Sequence, residues 1–439
     1  MHVATFPQLS LHPKTQHYML QIQILRDQKE LVLAGLAKKN FKQPELVDDI
    51  INTDEKRRKC QGILEENLSE INKLSKQVGD LMKAGQKDEA EGMRARTLEI
   101  KDQNKSLEEE LKTLEDEQQQ MMLQLPNLPH STVPVGKTPE ENEVVLQHGE
   151  IKVLYDGAKP HWDLITQYDI IDFELGNKIT GAGFPVYKGK GARLQRALIN
   201  FFWDEALKQG FTEIQPPILV NEDSGYGTGQ LPDKEGQMYY MPADNLYCIP
   251  TAEVPITNLY RDVIVREEDL PIKNVGYTPC FRREAGSWGA HVRGLNRLHQ
   301  FDKVEIVQIA HPDKSYEILE QMSTYVQSLL QKLELPYRVL RLCGGDMSFA
   351  SALTYDMEVW SAAQQRWLEV SSVSNFESFQ SNRLKLRYKS DGKTKLAHTL
   401  NGSALALPRI VAALLENNQT PEGINLPKVL HPYLGFESI

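Results

Sequence analysis

TPCFRREAGSWGAHVRGLNRLHQFDKVEIVQI, from Thr278 to Ile309, decides how the rest of the chain is read. It reads as two strands joined by a long loop. Side chains two apart on a strand share a face, so the first strand is expected to put Arg282 and Glu284 together. The second is expected to put Arg297, Phe301 and Glu305 on one face and Leu298, Val304 and Ile306 on the other. Two arginines, two carboxylates and an aromatic ring then converge. An ordinary sheet hairpin wets its outer face with Thr, Lys and Glu and has no need of paired arginines around a glycine-rich loop. The set suits a nucleotide: guanidinium forks for phosphate oxygens, a ring to stack on a base, and a carboxylate to accept from an exocyclic amine. No GxxxxGK[ST] run occurs in the chain, so arginines must do the phosphate work.

Around this stretch, 439 residues are enough for two or three domains. The apolar share of 40% and charged share of 25% are ordinary for globular protein, and no run of about 18 apolar residues offers a membrane span. The four cysteines, Cys60, Cys248, Cys280 and Cys343, form no CxxC pair. That argues against a zinc knuckle and a disulfide framework, and fits a reducing cytoplasm. A net charge of -10 does not by itself announce a nucleic-acid binder, so any RNA contact has to come from local basic patches.

Upstream, residues 1–18 lack the apolar core of a signal peptide and the Arg-rich pattern of a transit peptide. They read as a disordered extension ahead of a conventional start at Met19. From Thr53 to Leu125 the composition turns to Glu, Lys, Gln and Leu without proline. Leu64, Leu68, Ile71, Val78 and Met82 follow three-four spacing. After the glycine-marked turn LMKAGQKDEAEG, so do Ile100, Leu107, Leu111, Leu114, Met121 and Leu125, with Asn104 and Gln118 in the seam. Two long helices folded back as an antiparallel coiled coil are expected. Lys73, Lys76, Lys83, Lys87, Arg94, Arg96, Lys101 and Lys105 crowd towards the turn, while Glu108–Glu110 and Glu115–Glu117 lie at the base. Pattern alone leaves dimerisation open as the purpose of this coil. Residues 125–145, rich in proline, read as a linker. Beyond it, Gly191–Gly210 has helical spacing, and FTEIQPPILVNED reads as a strand carrying Pro216 and Pro217.

FRREAG, RGLNRLHQFDKVE, IPTAEVP, CGGDMSFASALTYDMEVW and HTLNGSALALPR, in this order, resemble the signature stretches of bacterial seryl-tRNA synthetases, which are class II aminoacyl-tRNA synthetases. The resemblance runs from about Met19 to the end. It implies an α+β chain: a helical arm over residues 19–124, the linker 125–145, and a catalytic domain over 146–439 made of an antiparallel sheet flanked by helices. It further implies a cytoplasmic homodimer that joins L-serine to tRNA(Ser), and to a selenocysteine tRNA where one exists, using ATP and Mg²⁺. The basic residues Lys73, Lys76, Lys83, Lys87, Arg94 and Arg96 would then grip the tRNA.

By the same resemblance, the catalytic residues are Arg282, Glu369 and Arg409. ATP falls to Arg282, Arg283, Glu284, Arg297, Phe301, Glu369, Val370, Ser371, Ser372 and Arg409. Serine falls to Thr251, Ala252, Glu253, Arg282, Glu305, Asn401 and Ser403, and the metal to Glu369 and Ser372. Pro408 independently suits a first helical turn, which sets Arg409 at a strand-to-helix junction. Glu369 and Ser372 are three apart and face opposite ways on a regular strand, so a strand end or a bulge is required between them. Trp288 in the hairpin loop, where relatives usually carry a small residue, reads either as a lid over the adenylate or, the preferred reading, as a stacking platform for the tRNA end. Two rivals remain. A synthetase relative charging a carrier protein typically lacks the long arm, and a degenerate non-enzyme would lose Arg282, Glu369 or Arg409.

Overall fold

The computed structural model describes residues 20–233, 235–284 and 293–439; the amino-terminal extension and Trp288 fall outside them. By compactness Asp48–Gln124 form one unit, and residues 20–47 fold with Leu125–Ile439. The first helices are α1 (Ile22–Asp27), α2 (Lys29–Lys38), α3 (Leu46–Lys83) and α4 (Lys87–Met122).

Helices α3 and α4 make the antiparallel pair that the spacing predicts, turning at Gly85 with φ of 79°. Cys60, Leu64 and Leu114 are buried in its seam against Leu107 and Leu111. Asn67 Nδ2 donates to Asn104 Oδ1 at 2.7 Å, and Gln118 Nε2 to Asp54 Oδ1 at 3.2 Å, so the seam's polar residues pair across it. Two predicted seam positions are wrong, since Leu68 and Met82 are 52% and 43% exposed. The stripe runs through Leu64, Asn67, Ile71, Leu74, Val78 and Leu81 instead. An apolar residue beside the heptad position drew the reading off by one, and Asn67, being polar, hid the true register. Lys73, Lys76, Lys83, Lys87, Arg94 and Arg96 are all exposed.

In the other unit the strands are β1 (Glu143–His148), β2 (Thr212–Glu213), β3 (Ile272–Phe281), β4 (Gln300–Ala310), β5 (Tyr337–Arg341), β6 (Leu353–Ser361), β7 (Arg366–Glu377) and β8 (His398–Ala406). They form one sheet in the order β1-β5-β6-β7-β8-β4-β3-β2, antiparallel except where β2 lies parallel to β3. Helices α5 (His161–Gln167), α6 (Gly189–Lys208), α7 (Ser315–Lys332), α8 (Phe379–Leu384) and α9 (Leu407–Asn417) flank it. The alternation expected for β4 holds: Val304 and Ile306 join a core with Leu198, Phe202, Leu329 and Val411, while Phe301 and Glu305 turn to the other side. Burying each such side chain stabilises the fold by roughly 1.5–3 kcal/mol.

Residues 125–145 are not a free tether. Leu125 and Val133 are buried, and Asn127 Nδ2 donates to the carbonyls of Ala350 and Phe376 at 2.9 Å each. Proline has no N–H to satisfy, which suits a strap laid on a core as well as a chain in water. Prolines also split the strand expected after α6: Thr212–Glu213 and Leu219–Asn221 join different sheets. No helix among the described residues is long and apolar enough to cross a membrane.

Candidate active site

A pocket of about 670 Å³ opens on the polar face of β4, β7 and β8. Among the residues lining it are Thr251, Glu253, Arg282, Glu284, Arg297, Phe301, Glu305, Glu369, Val370, Ser371, Ser372, Asn401, Ser403 and Arg409. Two of the expected residues do not line it. Ala252 is fully buried behind it with Ile256 and Val307, and Arg283 is exposed, its backbone N–H donating to Gln237 O at 2.8 Å.

The strand ends shape the nucleotide-facing side. Strand β3 stops at Phe281, so Arg282 and Glu284 do not share a strand face; Glu284 has φ of 49°, which turns the chain. Arg282 is held over the Phe301 ring, 5.2 Å from its centroid, with Nε donating to Pro250 O at 3.4 Å. Glu284 and Arg297 form an ion pair with each other. Arg409 sits in the first turn of α9, after Pro408. Its Nε donates to Asn296 O at 3.0 Å, and Nη1 to Glu369 O at 2.7 Å.

The bulge that Glu369 and Ser372 require is present. Ser371 pairs with Met357 but Glu369 with Glu358, so β7 carries one extra residue at Val370 and both oxygen-bearing side chains reach the pocket. Beside them Asp356 Oδ1 is buried without a hydrogen-bond partner. Burial first, and then the charge of Glu369, holds that carboxyl well above its usual range. Among the described residues there is no group of three or more His, Cys, Asp or Glu that could cage a metal alone. The carboxylate of Glu369 and the hydroxyl of Ser372 are hard oxygen donors of the kind Mg²⁺ takes.

The far end is small and charged. Thr251 and Glu253 lie not on a strand but at the start of a short helix, Glu253–Asn258. Lys303, on the face of Phe301 and Glu305, pairs with Glu305 and donates to Thr251 Oγ1 at 2.8 Å. Gln380, from α8, donates to Glu253 Oε1 at 2.6 Å and accepts from Thr399 Oγ1 at 2.7 Å. Burial, reinforced by the negative charge of Glu305, pushes the Glu253 carboxyl up to about 7. Lys303, Gln380 and Asp356 were missed. Lys303 was within reach of the period-two rule that found its neighbours; Gln380 carried no local signal.

Family models match two parts of the chain: "Seryl-tRNA synthetase N-terminal domain" over residues 19–129, and "tRNA synthetase class II core domain (G, H, P, S and T)" over 239–418. A serine–tRNA ligase of Salinibacter ruber is 51% identical over 424 residues, covering 96% of this chain and 99% of its own. One from Akkermansia muciniphila is 46% identical over 424 residues, with the same coverage of 96% and 99%. The crystal structure of seryl-tRNA synthetase from Pyrococcus horikoshii complexed with ATP superposes with a TM-score of 0.90 at 33% identity, covering 96% of this chain and 99% of that one. Full-length likeness of this kind, over both the helical and the sheet-built parts, means that the chain belongs to the seryl-tRNA synthetase family.

Proposed function

We infer that this chain activates L-serine with ATP to seryl-adenylate and transfers the seryl group to the 3′ end of tRNA(Ser), and of a selenocysteine tRNA where one is present. The observation that carries this reading is a single pocket in which arginines and a bulged Glu–Ser pair occupy one end and a small, carboxylate-lined recess the other. It acts as a homodimer in the cytoplasm, in keeping with its family.

In the first step a serine carboxylate oxygen attacks the α-phosphorus, an O–P bond forms, the α–β bridge bond breaks, and pyrophosphate leaves. In the second, a ribose hydroxyl at the tRNA terminus attacks the seryl carbonyl, and AMP leaves from the mixed anhydride. The first step needs alignment and charge neutralisation more than a general base. Arg282, steadied over Phe301, neutralises the α-phosphate and serine carboxylate. Phe301 and Arg409 would enclose the adenine, with Glu284 accepting from its amino group. Arg297 would serve the γ-phosphate, the pair it forms with Glu284 giving way as both find ligand partners. Mg²⁺, held by Glu369 and Ser372, would add Lewis-acid charge at the phosphates.

Serine's ammonium would meet Glu253 and Glu305, and its hydroxyl Asn401, Ser403 and Thr251. Alanine brings the same ammonium but no hydroxyl, so the groups that read the hydroxyl would lose their ligand partner, whereas threonine is refused only by want of space. ATP–pyrophosphate exchange run with each standard amino acid tests the reading: serine alone should support it, and exchange driven by another amino acid instead would overturn it.

A further inference from the structure

Behind the nucleotide end lies a buried histidine that no step above uses. His161 and Glu416 are both fully buried, and His161 Nδ1 lies 2.8 Å from Glu416 Oε1. The other ring nitrogen, Nε2, accepts the backbone N–H of Leu295 at 2.9 Å. An acceptor carries no proton, so the ring is neutral with its proton on Nδ1, donated to Glu416. Glu416 Oε1 also accepts from the His161 backbone N–H at 3.0 Å and from Gln364 Nε2 at 3.0 Å, and Oε2 accepts from Ser361 Oγ.

Leu295 belongs to the turn Gly294–Asn296 that delivers Arg297, and Leu295, Asn296 and Arg297 all line the pocket. The same turn is held on its other side by Arg409, whose Nε donates to Asn296 O. Arg409 and Glu416 are seven residues apart on α9, two turns along one face. One helix therefore grips the turn twice, directly at the Asn296 carbonyl and through His161 at the Leu295 N–H. Asn296 Nδ2 adds a third tie, donating to Gln364 Oε1 at 3.0 Å. The fit leaves no slack: Gly294 has φ of 67°, and a Cβ there would lie 2.3 Å from His161 Nε2. The serine recess is built on other elements, β4, β8 and the Glu253–Asn258 helix.

We propose that His161 is a positioning residue for ATP, setting through the Leu295 N–H where Asn296, Arg297 and Arg409 stand, and that it leaves serine binding alone. The proposal rests on the assignment of this end of the pocket to ATP. Serine-dependent exchange by the unmodified protein tests that assignment separately.

Two substitutions in the full-length chain divide the ring's two functions. His161→Gln places an amide oxygen near Nε2 and keeps the acceptor for Leu295; His161→Asn places an amide nitrogen near Nδ1 and keeps only the donor to Glu416. Loss of that one hydrogen bond should raise the ATP KM of His161→Asn about tenfold, with the serine KM within about twofold, while His161→Gln stays within about threefold for both. Equal changes in the two KM values, or the same ATP effect in both variants, would overturn the proposal. Should either variant fail to fold, ¹⁵N NMR of histidine in the unmodified protein decides. The Nδ1–H tautomer at neutral pH supports the assignment, and an imidazolium or Nε2–H tautomer refutes it.

Discussion

Glu253 is a buried carboxyl whose proton comes off near neutrality, at about 7, because burial and the charge of Glu305 both oppose its ionisation. An arriving ammonium favours the ionised form, so serine binding should expel a proton and the serine KM should fall as pH rises from about 6 to 8. Glu253→Gln removes the titrating group; its serine KM should be high and nearly flat over that range, measured by pyrophosphate exchange. The stability sign is opposite. The folded value lies above that of the unfolded chain, so this group's contribution is full at low pH and is lost as pH rises through about 7. The two arginines differ in a similar way. Arg282 stands at the reacting centre, and Arg282→Ala should cut exchange about 10²- to 10³-fold, the usual cost of losing a transition-state charge contact. Arg297 stands farther out, already partnered by Glu284, so Arg297→Ala should chiefly raise the ATP KM. Equal, mild effects of the two changes on exchange would contradict these roles.

At the level of elements, the pocket wall formed by Ser348, Phe349 and Ala350 is tied down by segments from the other end of the chain. Lys39 Nζ, just past α2, donates to Ser348 O at 2.6 Å and Ser351 O at 2.8 Å, and Asn127 donates to Ala350 O. Lys39→Met strips the carbonyls of exposed Ser348 and buried Ser351 of their donor and should destabilise the protein by about 1–3 kcal/mol. The wall lines the pocket proposed for both substrates, so both KM values should rise, whereas an unchanged melting temperature and unchanged KM values would show the tie to be idle. None of this was legible beforehand, because Lys39 looks like any charged residue at a helix end. What could be read was periodic or chemical: the two faces of β4, the start of α9 at Leu407–Pro408, and the bulge forced by the spacing of Glu369 and Ser372. What could not was where pairing stops. Arg282 and Glu284 lie beyond the end of β3, and only its pairing with β4 decides that end.

On the scale of the whole molecule, every residue assigned to ATP or serine belongs to the unit holding Leu125–Ile439, and the basic residues assigned to tRNA belong to Asp48–Gln124. At about 1.5 Å per residue, a helix of some 30 residues carries the turn on the order of 45 Å from the base of its own coil. That coil carries its polar pairs, Asn67–Asn104 and Asp54–Gln118, on the base side of residues 75–96. It can therefore be shortened at facing positions without disturbing the pairs below. The measurement that tests the account most directly replaces residues 75–96 with a short glycine-containing turn and runs two assays on the same protein. Serine-dependent pyrophosphate exchange should stay close to that of the full-length protein. Serylation of tRNA should fall strongly, and charging by the full-length protein should itself weaken as salt rises, since lysine and arginine contacts to phosphate release counterions. Undiminished tRNA charging by the shortened protein would contradict the account and leave the coil a stability or dimerisation element.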